Sequence, residues 1–292
     1  MRNPLVRFGA AVFFLSVFAA PVAGQQENQP PTGQGNRGVQ VGVPDGRAAG
    51  DGGASNRPRT RVPAGPAPRA ADGHALLGST TEKKGLWLPG PVIPNPLGLG
   101  EIPFQPWAKA LQADRRRNQL EPHARCKPSG GARVFLTPYG VEIVEMPEIQ
   151  RVYVFDVGGP HTFRTIYMDG RTHPKKLEPN YYGHSIGHWE GDTLVVDTVG
   201  FNERFWFDRS GNPHTEQLRT IEKFTRLDTA TLRYELTIDD PGAYTAPFTG
   251  HVDLRLEEGT ELFEYVCQQS NFAAELMVGA ATSVDRSSPI VP

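Results

Sequence analysis

The chain has 292 residues and a formal net charge of −2. Nucleic acids and anionic membrane surfaces attract concentrated positive charge, so this balance gives no reason to expect either as a partner. The 32 glycines and 27 prolines are densest before residue 100. About 190 residues follow, which is enough for one domain with a hydrophobic core, and we expect one rather than two.

The N-terminus has the three parts of a secretory signal peptide. Arg2 and Arg7 supply positive charge, Phe8–Ala20 is an apolar run, and small residues precede and include Gly24. As a helix this run spans only about 20 Å, less than the roughly 30 Å hydrocarbon core of a bilayer. We therefore expect a signal peptide over residues 1–24, cleaved after Gly24, and a mature chain that is periplasmic or secreted without a membrane span.

Composition also predicts how the remaining chain is divided. Residues 25–80 are rich in Pro and Gly and nearly lack large apolar side chains, which predicts a disordered spacer. A single β domain should cover residues 81–272. It begins with a proline-rich extended arm at 85–106, anchored by side chains that include Trp87, Val92, Ile93 and Leu97. A flexible tail at 273–292 should follow.

Periodicity predicts the elements of this domain. Pro106 suits the first turn of a helix that should end near Asn118. From Arg133 onward the apolar period changes to two, which predicts about ten short strands. These strands lie near 133–137, 141–146, 149–157, 163–168, 184–189, 193–199, 218–227, 232–239, 252–257 and 262–268.

The connections between these strands predict the fold class. They are short, and we find no helical crossovers of the kind that parallel strands need, so we expect an antiparallel sheet. A sheet of ten strands tends to curl or close in order to hide its edges. We predict a mostly β fold, an up-and-down, lipocalin-like barrel meander with one short N-terminal helix. A two-sheet sandwich is the alternative.

The two cysteines are Cys126 and Cys267. In an oxidising compartment they predict one disulfide between the start of the domain and its last strand, worth roughly 4–5 kcal/mol in loop entropy. Two free buried thiols are the alternative.

Three long motifs carry a family resemblance: IYMDGRTHP (166–174), GHSIGHWEGDTLVVDTVGF (183–201) and GNPHTE (211–216). With the shorter segments PFQPWAKAL (103–111), ARCKP (124–128) and EYVCQQ (264–269), the chain resembles a family of secreted bacterial proteins common in soil acidobacteria. Tyr182 stands where the family has Trp, and Thr215 where it has Ser. The resemblance implies secretion and a shared β fold, and it implies no reaction.

Histidines on a predicted strand give the first candidate site. His184 and His188 are four residues apart, so both side chains point to one face of the strand. Two neutral imidazoles can begin a metal site. A third ligand would come from His173, His161, Asp169 or His214. Two ordinary surface histidines are the alternative, and the metal stays an open question.

The loop after the strand at 163–168 gives the second candidate. Arg171 can hold a carboxylate or phosphate through two parallel hydrogen bonds, and His173 can transfer a proton near neutral pH. In the alternative, structural interpretation, Asp169 caps a turn and Arg171 pairs with an acid such as Glu190.

Further acids complete the candidate site. Asp197 lies in an apolar run and needs a partner if it is buried, with Arg164, Arg171 and His214 as candidates. His214 and Glu216 project to the same side of an extended chain. They could form a proton relay or a pair of ligands, and a surface turn without function is the alternative. The candidate catalytic residues are Asp169, His173, Asp197, His214 and Glu216.

Aromatic residues are placed to line a cavity. Phe205, Trp206 and Phe207 are adjacent in a loop and predict a lid or a plug at one end of the barrel. The candidate ligand-binding residues are Tyr167, Arg171, Trp189, Glu190 and Trp206.

Three functions are compatible with these patterns. The first is an extracytoplasmic barrel that binds a small, partly apolar ligand. The second is a hydrolase that uses the His, Asp and Glu residues above, with or without a metal. The third is a cell-envelope interaction protein. We find no phosphate-binding glycine loop and no Gly-x-Ser-x-Gly nucleophile motif.

Overall fold

The structure, a computed structural model, describes residues 65–89, 97–137, 139–158, 160–264 and 267. Within these residues nine strands form a closed β-barrel. The predicted signal peptide, the spacer up to residue 64, the anchors Val92 and Ile93, and the tail at 273–292 lie outside the described residues. No helix in the described ranges is long and apolar enough to cross a membrane.

The strands follow one another round the barrel in chain order, and β9 pairs with β1 to close it. They are β1 (Gly85–Leu88), β2 (Val141–Met146), β3 (Arg151–Asp156), β4 (Phe163–Tyr167), β5 (His184–Glu190), β6 (Thr193–Val199), β7 (Arg219–Arg226), β8 (Thr231–Asp239) and β9 (Phe248–Glu258). The prediction of a mostly β, barrel-like fold is confirmed, and the barrel rather than the sandwich is the form it takes.

One strand pair departs from the predicted antiparallel pattern. Strands β4 and β5 are parallel, with Ile166 opposite Ser185. Our argument against parallel pairs required a helical crossover. Residues 168–183 make this crossover without a helix, along the outside of the barrel. That non-helical crossover carries the Asp169, Arg171 and His173 side chains.

The connections divide the barrel into two different ends. Tight hairpins join β2 to β3, β5 to β6 and β7 to β8 at what we call the hairpin end. The long connections at 89–140, 200–218 and 240–247 all lie at the opposite end, which we call the loop end. Helix α1 (Pro106–Asn118) belongs to this group and matches its predicted bounds. The Cys126–Cys267 disulfide is confirmed, with 5.6 Å between the two Cα atoms.

The predicted strand at 133–137 is wrong, because an apolar run alone does not distinguish a strand from other buried backbone. Gly131–Leu136 is a 3₁₀ helix with all six residues buried. Its Phe135 ring lies inside the barrel, 5.1 Å from Phe224 and 4.5 Å from Tyr234 between ring centroids. The described part of the predicted last strand at 262–268 is 262–264 and 267, and none of these residues is in a strand. Two further short 3₁₀ helices are Pro122–Arg125 and Pro147–Ile149.

The N-terminal boundary of the domain lies earlier than residue 81. Ala75 and Leu77 are fully buried. The Arg226 guanidinium donates to the carbonyl of Leu76 at 2.6 Å and to that of Gly78 at 2.9 Å. Residues 65–80 therefore belong to the domain, and the predicted boundary between spacer and domain at residue 80 lies too late in the chain. The first residues of the predicted arm, Gly85–Leu88, form strand β1 and close the barrel.

A buried ion pair crosses the barrel interior from β4 to β7. Arg164 donates to both carboxylate oxygens of Glu222, at 2.8 and 2.5 Å. The Tyr234 hydroxyl donates to the same carboxylate at 2.8 Å. Arg164 also donates to the hydroxyls of Ser185 and Thr198, at 2.9 and 2.8 Å. Because all five side chains are buried, the guanidinium and the carboxylate exchange their hydration for a complete set of protein hydrogen bonds.

We predict that Glu222→Gln lowers the free energy of unfolding by about 3–5 kcal/mol, because it leaves the Arg164 charge buried without its counter-ion. Urea unfolding measures the loss. Asp253→Asn is the matched control, since Arg233 and Asp253 form an exposed pair worth less than about 1 kcal/mol. The double variant Arg164→Met with Glu222→Met should recover most of the lost stability. Equal losses in Glu222→Gln and Asp253→Asn would contradict the prediction.

Candidate functional site

Six side chains gather on the outer surface of the barrel, over strands β4, β5 and β6. Strand alternation points Tyr167, His184 and Asp197 outward, and the parallel crossover lays its own side chains over them. We call this group the histidine face: Tyr167, Asp169, Arg171, His173, His184 and Asp197. All six are among the candidates that the sequence predicted, His184 as a metal ligand and the other five as catalytic or ligand-binding residues.

Two histidines form the centre of the histidine face. Nδ1 of His173 lies 2.8 Å from Nδ1 of His184, and the ring planes are inclined at 73°. At this distance one Nδ1 donates and the other accepts, so the two rings share a single proton at this point. Partial burial, His173 and Arg171 together lower the pKa of His184. The pair therefore favours one neutral donor and one neutral acceptor.

Asp197 lies on the outer side of β6 and is held by an arginine that the sequence argument did not consider. Arg219 donates to both carboxylate oxygens, at 2.9 and 2.6 Å. Nε2 of His173 is 3.7 Å from the carboxylate and is buried without a hydrogen-bond partner. The predicted partners of Asp197 were Arg164, Arg171 and His214, and none of them holds it, because each contacts another group.

Asp169 and Arg171 form a closed pair at the edge of the histidine face. Arg171 donates to Asp169 at 2.8, 3.0 and 2.5 Å, and these bonds lower the pKa of Asp169 to about 2. The Arg171 guanidinium lies 3.9 Å from the Tyr167 ring centroid, and Tyr167 stacks on His184 at 5.1 Å. Arg171 thus pairs with an acid, as the structural alternative expected, but the acid is Asp169 rather than Glu190.

The other predicted site residues lie elsewhere. His214 is buried and its Nε2 is 3.0 Å from the Phe205 carbonyl oxygen. Glu216 is exposed in the connection before β7. Trp189 stacks on His74 at 4.0 Å, and Trp206 is buried with the Arg115 guanidinium 5.4 Å from its ring. The five predicted catalytic residues therefore do not form one site.

The proposed pairing of His184 with His188 is also not formed. His188 is exposed and lies 3.2 Å from the Glu190 carboxylate, whereas His184 contacts His173. Within the described residues no group of three His, Cys, Asp or Glu side chains is arranged to hold a metal ion.

A second polar cluster, which was not predicted from the sequence, is buried at the loop end. The Ser129 hydroxyl donates to Asp156 at 2.6 Å and lies 3.2 Å from Nδ1 of His123. Burial raises the pKa of Asp156 to about 7 and lowers that of His123 to about 4. All three side chains are buried, so a ligand from solvent cannot reach them, and we assign the cluster a structural role.

The barrel interior is filled by the protein itself. The Phe135 ring and the Arg164–Glu222 pair occupy its middle. At the loop end, Phe201, Phe205 and Phe207 face Leu236 and Ile238 across a cavity with no room for a water molecule. The aromatic loop at 205–207 therefore packs as a plug rather than as an open lid.

Comparison with known proteins adds no assignment. No protein-family model, no curated protein and no solved structure matches this chain.

We predict that Asp156→Asn gains stability relative to the unchanged protein as the pH rises. The folded pKa of about 7 lies above the unfolded value of about 3.9, so the stability that protonated Asp156 contributes is complete below about pH 4 and is lost as the pH approaches 7. The relative gain should reach at most about 4 kcal/mol. Urea unfolding at pH 4.5 and 8 measures it.

Asp253→Asn is the control of opposite sign. Arg233 holds the pKa of Asp253 below its usual value, so this variant should lose relative stability as the pH rises through the acid range. If the difference in the free energy of unfolding between Asp156→Asn and the unchanged protein does not vary with pH, the Asp156 carboxyl is not protonated in the folded state.

Proposed function

We propose that this protein is an exported binding protein that takes a small, partly apolar ligand on the histidine face rather than inside the barrel. The observation that carries this proposal is the convergence of Tyr167, Arg171, His173 and His184 on one partly exposed surface. The filled interior supports the outer location, because a ligand in the lumen would have to displace the Phe135 or Phe205 ring.

The chemistry of the histidine face suits recognition. Nδ1 of each imidazole is used in the pair and Nε2 of His173 is buried, so the pair leaves Nε2 of His184 for a ligand. This nitrogen lies in a partly desolvated position, where a hydrogen bond to a ligand is stronger than in open water. The Tyr167 ring adds an apolar surface beside them. A few convergent polar groups next to an aromatic ring are typical of small-molecule sites.

Export is part of the proposal and has two supports. The N-terminal sequence has the composition of a signal peptide. The Cys126–Cys267 disulfide is the bond expected of a protein that folds in an oxidising compartment.

A hydrolase is the second candidate, favoured by the order of groups Asp197, His173 and His184. If His184 donates its Nδ1 proton to His173, then Nε2 of His173 carries a proton toward Asp197, and His184 can accept a proton at Nε2. The 3.7 Å separation between Asp197 and His173 is too long for a hydrogen bond, which makes this candidate the weaker one. The interaction-protein alternative has less support, because the anchors Trp87 and Leu97 of the predicted arm are buried in their own domain.

Chemical-shift mapping tests the binding proposal. The mature, ¹⁵N-labelled chain is titrated with separate fragment probes: acetate, phenol, purine and glucose. We expect at least one probe to shift the amide resonances of residues 165–173, 184–186 and 196–198. The double variant His173→Gln with His184→Gln should abolish those shifts, because it removes the imidazole pair.

His188→Gln is the matched control. It removes an exposed histidine from the same strand without touching the pair, so the shifts should persist. Probe-induced shifts confined to lumen residues such as Phe135 and Tyr234, or shifts that survive the double variant, would overturn the proposal.

A further inference from the structure

An aromatic patch lies on the outside of β3 and β4, where a water-facing sheet surface normally carries polar side chains. Tyr153, Phe155 and Phe163 occupy outward positions, and Phe163 is 57% exposed. The three ring centroids are 6.0–6.1 Å apart, and the Tyr153 and Phe155 planes differ by only 28°. We call these three residues the aromatic strip. Tyr153 and Phe155 are half-buried and nearly parallel, and the exposed Phe163 ring is inclined to them by 61° and 42°.

The aromatic strip continues into the histidine face. Arg151 donates to the Tyr153 hydroxyl at 3.3 Å, and its guanidinium lies 5.4 Å from the Tyr167 ring centroid. Tyr167 in turn stacks on His184. One surface therefore runs from Phe163 across the sheet to the histidine pair, which is longer than a single small ligand needs.

The charges on this surface restrict the ligand. Asp169 is paired with Arg171, and Asp197 with Arg219, each through more than one hydrogen bond. A strongly charged ligand that engaged either pair would have to break it. Arg151 is a further cation of this surface, and its guanidinium is used by the Tyr153 hydroxyl and the Tyr167 ring. A hydroxyl can donate to the carboxylate or accept from the guanidinium without separating them.

We propose that the ligand is a neutral oligosaccharide whose sugar rings stack on the aromatic strip and whose hydroxyls bind the histidine face. This inference rests on the proposed ligand site at the histidine face, and it replaces the single small ligand by a chain of sugar units, each with an apolar side. A sugar ring has an apolar face of C–H groups and a rim of hydroxyls. The apolar face suits the half-buried Tyr153 and Phe155 rings and the exposed Phe163 ring, and the rim suits the paired acids, arginines and imidazoles.

Isothermal titration calorimetry tests the inference on the mature chain. The probes are the neutral hexasaccharides of cellulose, xylan and chitin, with oligogalacturonate as an acidic comparator. We expect saturable binding of at least one neutral probe and none of the acidic one. Phe163→Ala and Tyr153→Ala should each weaken binding about tenfold, the loss expected for one stacking contact.

Leu227→Ala is the matched control, because Leu227 is an exposed apolar side chain in the β7–β8 hairpin, away from the aromatic strip. It should leave binding unchanged. The inference is overturned if no neutral probe binds, if oligogalacturonate is preferred, or if Phe163→Ala has no effect. It is also overturned if sedimentation equilibrium shows a dimer that Phe163→Ala dissociates, since the strip would then bind a second copy.

The outcome is separable from that of the proposed function. Fragment shifts at the histidine face without any glycan binding would remove the oligosaccharide and keep the site. If a glycan shifts the amides of the aromatic strip but not those of residues 184–186, the strip binds sugar and the histidine face does not take part in that binding.

Discussion

The ion pair between Arg164 and Glu222 is the constraint on which the interior of this barrel depends. It joins β4 to β7, strands that are separated round the barrel by β5 and β6. Each of those intervening strands contributes a hydroxyl to the pair, from Ser185 and Thr198. Four consecutive strands are thereby fixed by one guanidinium and its partners. The middle of the lumen is occupied in this way, which is why the ligand site that we propose lies on the outer surface.

Local signals in the sequence predicted the elements that depend on neighbouring residues. Helix α1 has its Pro106 start, and the hairpins at Gly191 and Asp228 separate strands of clear period-two alternation. The elements that failed depend on distant contacts. Gly131–Leu136 has the apolar composition of a strand, but it enters the barrel as a 3₁₀ helix. Strand β1 lies beside a run of prolines, and its pairing with the distant strands β2 and β9 makes it a strand.

The sequence predicted which residues could form the candidate site, but it predicted only some of the contacts between them. Asp169, Arg171 and His173 are adjacent in sequence, so their clustering follows from a single loop. Their contacts with Asp197 and His184 depend on the parallel pairing of β4 with β5, which no local sequence pattern predicts. The apolar run around Asp197 contains both inward and outward side chains, so the sequence does not show on which side of β6 this carboxylate lies. The buried Ser129–Asp156 contact joins two connections that are distant in sequence.

The pairing of β1 with β9 determines when this protein can fold. Gly85 lies opposite Glu258, so the barrel joins residues near the two ends of the domain. Contacts of such sequence separation form slowly, because a long loop must close before they are gained. A chain that emerges from a ribosome or an export channel N-terminus first has two unpaired strand edges until β9 has emerged. Folding is thereby postponed until the whole domain is present, and a chaperone that shields those edges would protect it from aggregation in the interval.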